Sequence, residues 1–220
     1  MIPNLIVPVL NRYDLLQRLL DSIDYPVRHV FIIDNGDGPS EVIDLPDTVT
    51  EVTYSPLPNN LGVSGSWNLG IKALPYDEKW LIVSNDAHFG PGALEGFVEA
   101  GEREILLSSN FPYWHAFSIG QEVVREVGLF DENLHPAYFE DDDYKRRAEY
   151  YGVTIRKGPN VEHNNSSTLK SDERFKERNS ETFLSNSQYY RGKAAAEDYS
   201  EGGWSLTRRR KNSWTRQNVE

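Results

Sequence analysis

The chain has 220 residues, enough to bury a full core as one large domain or one domain with appendages. Hydrophobic residues make up 38% and charged residues 26%, a soluble globular balance, and the net charge of −11 argues against a general nucleic-acid binder. There is no cysteine, so there is no disulfide framework and no thiolate metal site.

The opening Met-Ile-Pro-Asn-Leu-Ile-Val-Pro-Val-Leu has no basic leader, and its apolar run is too short for a membrane span. It reads as a buried strand, Asn4–Leu10, of a cytoplasmic protein. Leu15, Leu16, Leu19, Leu20 and Ile23 recur at helical spacing within Tyr13–Ile23. Strands are expected over Val30–Ile33 and Val49–Tyr54, then a helix over Ser64–Leu74 and a strand over Trp80–Val83. A helix follows over Pro91–Glu99, with proline near its first turn, and a strand over Ile105–Ser108. This alternation predicts an α/β domain with a mainly parallel sheet and helices on both faces. Ligands of such sheets bind beyond the carboxyl ends of the strands. Asn11-Arg12, Asp34-Asn35-Gly36 and Asn85-Asp86 all fall at those ends.

Further along, Trp114–Ile119 reads as a strand, Gln121–Val127 as a short helix, and Glu140–Tyr151 as a helix ended by Gly152. Strands follow at Val153–Arg156 and from Val161, the latter running into a polar loop through Ser167. Ser171–Tyr190 patterns as a helix with Phe175, Phe183 and Leu184 on its apolar face. The expected organisation is a catalytic domain over 1–170, a helical extension over 171–191 and a polar, basic tail over 192–220. Residues 202–219 carry Arg208, Arg209, Arg210, Lys211 and Arg216 and no acid, so this stretch is +5 and the remainder −16. Such a tail is either solvated or docks on an anionic partner, a second subunit's acidic face included.

Glu140, Asp141, Asp142 and Asp143 are four adjacent carboxylates. They repel one another unless water, a helix N-terminus, a metal or a substrate proton offsets the cost. A helix starting near Glu140 puts them in its first turn, where the helix dipole favours negative charge. One can then face a cleft as a general base while the others cap the helix. A plain capped helix start accounts for the same residues.

Taken in order, several segments resemble a family 2-like glycosyltransferase of the GT-A fold, in the branch of rhamnosyl- and galactofuranosyl-type enzymes, over about residues 4–170. Val7-Pro8-Val9-Leu10-Asn11-Arg12 resembles the family's first strand and turn, which implies that Pro8, Asn11 and Arg12 cradle the nucleotide base. Asp34 matches the acidic residue that bonds base or ribose, although by itself it also reads as a turn former before Asn35-Gly36. The segment from Asn59 to Gly70 resembles the family's glycine-rich stretch, which implies that Asn60, Gly62 and Asn68 serve the donor, with phosphate at a helix start. Ser84-Asn85-Asp86 stands where the family has Asp-x-Asp, so Asp86 is the expected metal ligand and Asn85 a donor contact. Gly128-Leu129-Phe130-Asp131-Glu132 followed by Tyr138-Phe139-Glu140-Asp141 is the closest match. It implies Asp141 as general base, Glu140 as its orienting neighbour, and Asp143 paired with Arg146 or Arg147. His163, with Ser166 and Ser167 behind it, matches the family's late metal-binding histidine. Tyr113 and Trp114 suit either an acceptor sugar or the core.

The resemblance implies an inverting transfer from a UDP-, dTDP- or GDP-sugar to a glycan, protein or small-molecule acceptor, with Mn²⁺ or Mg²⁺. The basic tail adds a modified nucleic acid as a weaker acceptor candidate. A binding module of the same fold without turnover, and a nucleotidyltransferase, are the rival readings.

Overall fold

The computed structural model describes residues 1–163 and 173–202. Strand β1 (Ile2–Val9) lies mid-sheet, with Leu5, Ile6, Val7 and Val9 all buried. Near-continuous apolar sequence of this kind belongs to a strand covered on both faces. It pairs in parallel with β2 (Val27–Asp34) on one side and β4 (Lys79–Val83) on the other. Beyond β2 lies β3 (Val49–Pro56), a largely exposed edge. Beyond β4 come β7 (Ala116–Gly120), β6 (Glu104–Leu107) and β8 (Thr154–Lys157), giving the order 3-2-1-4-7-6-8. Only β7 runs against the others. A small second sheet pairs β5 (Ala87–Phe89) antiparallel with β9 (Val161–His163).

Helices cover both faces, as expected. On one side α1 (Tyr13–Asp21) buries Leu16, Leu19 and Leu20 against β1 and β2. On the other, α2 (Gly62–Ala73), α3 (Gln121–Val127) and α4 (Glu140–Tyr150) contribute Trp67, Ile71, Val123, Tyr144 and Ala148 to a core with Ile6, Ile82 and Phe117. Gly70 sets the α2–β1 distance, because a Cβ there would stand 2.6 Å from Ile6 Cδ1.

Three elements differ from expectation. The helix expected over Pro91–Glu99 is a set of turns with one 3₁₀ turn, Glu95–Phe97, since Gly90, Gly92 and Gly96 interrupt the segment. Trp114 precedes its strand, which begins at Ala116. The last helix, α5 (Glu173–Ala195), continues past Tyr190, and the residues after it stay attached to the domain. Lys193 is buried, with its Nζ 2.9 Å from Asp131 and 3.1 Å from Asp143. Leu129 N–H donates to Glu201 at 2.7 Å. Residues Asn164–Ser167, the side chain of Phe175 and the basic stretch Arg208–Arg216 lie outside the described residues. Among the described residues no helix is long and apolar enough to cross a membrane.

Removing the Lys193 ammonium strips a buried cation from two buried carboxylates. Lys193→Met is expected to cost roughly 3–5 kcal/mol in urea denaturation, and adding Asp131→Asn is expected to recover part of that loss.

Candidate active site

The first turn of α4 divides its four acids among different surroundings. Asp143 is fully buried and neutralised by Arg147, whose Nε donates to it at 2.8 Å, and by Lys193. Asp142 is exposed. Asp141 is half-buried; burial, then the charge of Asp142, pushes its carboxyl up to about 6, against the pull of the Asp142 N–H at 2.9 Å. Glu140 is buried, and burial, then Asp141, raises it well above the ordinary glutamate range, which favours its protonated form. Its Oε2 has no hydrogen-bond partner among the described residues. The turn therefore offers a carboxylate with raised proton affinity beside a carboxyl that favours its neutral form.

Two residues ahead of this turn hold left-handed backbone without being glycine: Tyr138 at φ 79° and Phe139 at φ 71°. Such conformations cost about 1–3 kcal/mol each and persist only where neighbours enforce them. Here α5 does so. Asn186 Nδ2 donates to the carbonyls of Ala137 at 2.8 Å and His135 at 3.2 Å. The Phe139 ring stacks on Tyr190 at 5.6 Å and packs against Phe183 at 5.0 Å. Earlier in the loop, Asp131 accepts from Lys193, from Tyr189 Oη at 3.0 Å and from the Asn133 N–H at 2.9 Å. Arg147 reaches the carbonyls of Val127 and Leu129 at 2.8 and 2.9 Å. Lys193, Asn186 and Tyr189 carry no local motif, and sequence reading assigned them nothing.

The glycine-rich start of α2 packs against this loop. Gly62 sits at φ 74°, and a Cβ there would stand 2.6 Å from the Pro136 carbonyl oxygen. That carbonyl accepts from Val63 N–H at 2.7 Å. Gly62 N–H donates to Asn60 Oδ1 at 2.7 Å, and Leu61 N–H to Asn35 Oδ1 at 2.8 Å. Asn68 is buried: its amide donates to the Phe130 carbonyl at 2.9 Å and to Glu132, and its oxygen accepts from Phe130 N–H at 2.9 Å.

The three polar strand ends do converge. Asp37 N–H donates to Asn11 Oδ1 at 3.2 Å, Asn85 Nδ2 to the Arg12 carbonyl at 3.4 Å, and the Asp86 charge contributes to raising the Arg12 pKa. The Arg12 guanidinium is engaged by Asp14 through two bonds of 2.8 Å, the largest cause of its raised pKa. Pro8 pairs with Ile33 between β1 and β2. Asp34 is 1% exposed and accepts from Tyr13 Oη at 2.8 Å, from Tyr54 Oη and from Gly36 N–H at 2.8 Å. It organises two tyrosines that sequence reading passed over.

The β5–β9 pairing sets Ala87 opposite His163 and so brings His163 Nε2 to 2.9 Å from Asp86 Oδ1. Two ligands at about 2.1 Å from one octahedral ion stand about 3 Å apart, so this pair suits adjacent positions on a small divalent cation. The His115 ring stacks on His163 at 4.6 Å, and burial, then His163, lowers its pKa to about 4, so it is neutral. No group of three or more potential metal-ligating residues is found among the described residues.

Of the two roles open to Trp114, its packing is that of a core residue: it is 8% exposed and packs edge-on against Phe117 at 4.9 Å and Tyr144 at 6.4 Å. The Lys157 ammonium sits 3.9 Å over the Tyr113 ring. A groove of about 560 Å³ lined by Pro91, Glu99, Arg156 and Pro159 includes none of the residues above.

Residues 4–106, a little under half of the chain, match the family model described as glycosyl transferase family 2. The match ends in β6, before Asp141 and His163. Among solved structures, the chain is similar to Drosophila β-1,4-galactosyltransferase 7 in complex with manganese, UDP-Gal and xylobiose, with 11% identity over 76% of this chain and 72% of that one, at a TM-score of 0.56. The fold is that of the GT-A glycosyltransferases. S. aureus TarS in complex with UDP aligns with 17% identity over 71% of this chain and 57% of its own, at 0.52. GalNAc-T7 with UDP, GalNAc and Mn²⁺ aligns with 10% identity over 74% of this chain and 44% of its own, at 0.57. No curated protein matches the chain in sequence.

The raised Asp141 carboxyl has a consequence for stability. A carboxylate whose folded pKa is raised to about 6 costs nothing below the ordinary aspartate range, and its penalty grows as pH rises from about 4 to 6. Asp141→Asn is therefore expected to stabilise the fold at pH 7 by on the order of 2 kcal/mol, with the gain fading towards pH 4. Urea denaturation at both pH values measures the difference.

Proposed function

We propose that the chain is an inverting glycosyltransferase that moves a sugar from a nucleoside-diphosphate donor to an acceptor hydroxyl, with Asp141 as general base. The observation that carries this reading is the half-buried Asp141 carboxylate, raised to about 6, at the start of a helix in a GT-A fold. Such a group is ionised at neutral pH yet holds a proton better than an exposed aspartate. Asp141 takes the acceptor O–H proton as the acceptor oxygen forms a bond to the anomeric carbon. The bond from that carbon to the diphosphate oxygen breaks on the opposite face, and the nucleoside diphosphate leaves with the electron pair. Glu140, favouring its protonated form, keeps a second full negative charge from forming beside the base. The converged turns at Asn11, Arg12 and Asn85 are the proposed donor contacts, with Asp34 organising Tyr13 and Tyr54 beside them. A divalent cation, Mn²⁺ or Mg²⁺, held by Asp86 and His163 would offset charge on the leaving diphosphate. UDP is the first donor base to test, because the structural neighbours' complexes hold UDP or UDP-Gal.

The test is thermal stabilisation by UDP-, dTDP- and GDP-sugars with and without Mn²⁺. A donor at 100 times its Kd is expected to add about 2.7 kcal/mol of stability. Asp86→Asn and His163→Ala are expected to lose the Mn²⁺-dependent part of that gain. Asp141→Asn should keep donor stabilisation and lose transfer by about 10²–10⁴-fold. Transfer that survives Asp141→Asn would remove the assigned base, and a chain that no donor stabilises would count against the transferase itself.

A further inference from the structure

Trp114 packs in the core, and a separate aromatic surface lies beside the proposed base. Four aromatic rings meet beside the base. Tyr138 and Phe139 lead directly into Glu140 and Asp141, and their left-handed backbone is the chain's approach to the helix. From α5, Phe183 packs edge-on to Tyr138 at 5.3 Å and against Phe139 at 5.0 Å, while Tyr190 stacks on Phe139. Phe183 is 42% exposed among the described residues, and the other three rings are half-buried. Tyr190 lies within the electrostatic reach of Asp141, Asp142 and Asp143, so the cluster and the acidic turn border one another. The α5 backbone carrying these rings is fixed to the loop by Asn186, so the surface is positioned before anything binds.

We propose that Tyr138, Phe139, Phe183 and Tyr190 form an acceptor subsite for an uncharged saccharide, a proposal that rests on the transferase reading above. The chemistry selects this occupant. A pyranose ring presents a face of C–H bonds that packs on the negative face of an aromatic ring. Its hydroxyls meet carboxylate acceptors at Asp141 and exposed Asp142. Arg146 also acts on Tyr190 but pairs with Asp143 at 3.7 Å, so Asp141 and Asp142 leave this border net negative and disfavour a uronic acid or a phosphorylated sugar.

Acceptor-dependent release of nucleoside diphosphate is measured with neutral mono- and disaccharides, xylobiose among them, and with their uronic-acid counterparts. A neutral saccharide that accelerates release is expected to show an acceptor KM about tenfold higher in Phe183→Ala, with donor-induced thermal stabilisation retained. Phe183→Tyr, which keeps an aromatic face, is expected to stay within about threefold of the original KM. An unchanged KM in Phe183→Ala, or a preference for the uronic acids, overturns the subsite. If a donor stabilises the chain but no neutral saccharide is glycosylated, the subsite falls while the donor reading stands. If no donor stabilises the chain, the transferase reading falls and takes the subsite with it.

Discussion

The buried chain of charges Asp131–Lys193–Asp143–Arg147 is the constraint on which the candidate site depends. Its four groups balance in charge, and neutral partners engage much of what is left over. Asp131 also accepts from Tyr189 and Asn133, and Arg147 also donates to Val127 and Leu129. A buried ionic cluster of this kind adds little to stability compared with apolar packing, but losing one member is costly. Its effect is geometric. It ties α5, the 128–139 loop and α4 into one unit, so a helix that reads in sequence as an extension holds the backbone that presents Asp141.

The same cluster explains how four consecutive acids are tolerated. Asp143 has its own cations and Asp142 has water. That leaves Glu140 and Asp141 as the pair whose charges nothing nearby offsets in full. Burial is the largest cause of the raised pKa at each, ahead of repulsion between neighbours. The run is thus a sorted set, in which identical chemistry acquires different proton affinity from different solvation.

Much of the architecture was legible because periodicity and burial agree. The apolar run of β1, the leucines of α1 and the limits of α3 follow from side-chain pattern alone. Short elements were not: β5 has three residues and cannot display a period, yet its pairing with β9 is what joins Asp86 to His163. Lys193 sits in a polar, alanine-containing stretch that reads as solvated, and only the fold shows the two carboxylates waiting for it. The segment from Asn60 to Asn68 shows where pattern runs out. A glycine at a helix start permits close approach by any electronegative group, and pattern cannot tell a phosphate oxygen from the Pro136 carbonyl.

The contacts of that segment bear on how a donor would be held. With Leu61, Gly62 and Val63 N–H groups donating to Asn35, Asn60 and Pro136, the start of α2 has little left to offer an anion. Arg12 is engaged by Asp14. At the converged strand ends the half-buried pair Asp86 with His163 suits a cation rather than a diphosphate. On the proposed reading, a negatively charged donor entering an acidic body therefore depends on positive charge brought by a divalent ion at that pair. On that reading the engaged N–H groups of the helix start and the proposed Asp86–His163 metal site belong to one electrostatic argument, since the fewer N–H groups face an anion, the more of the compensation a cation supplies.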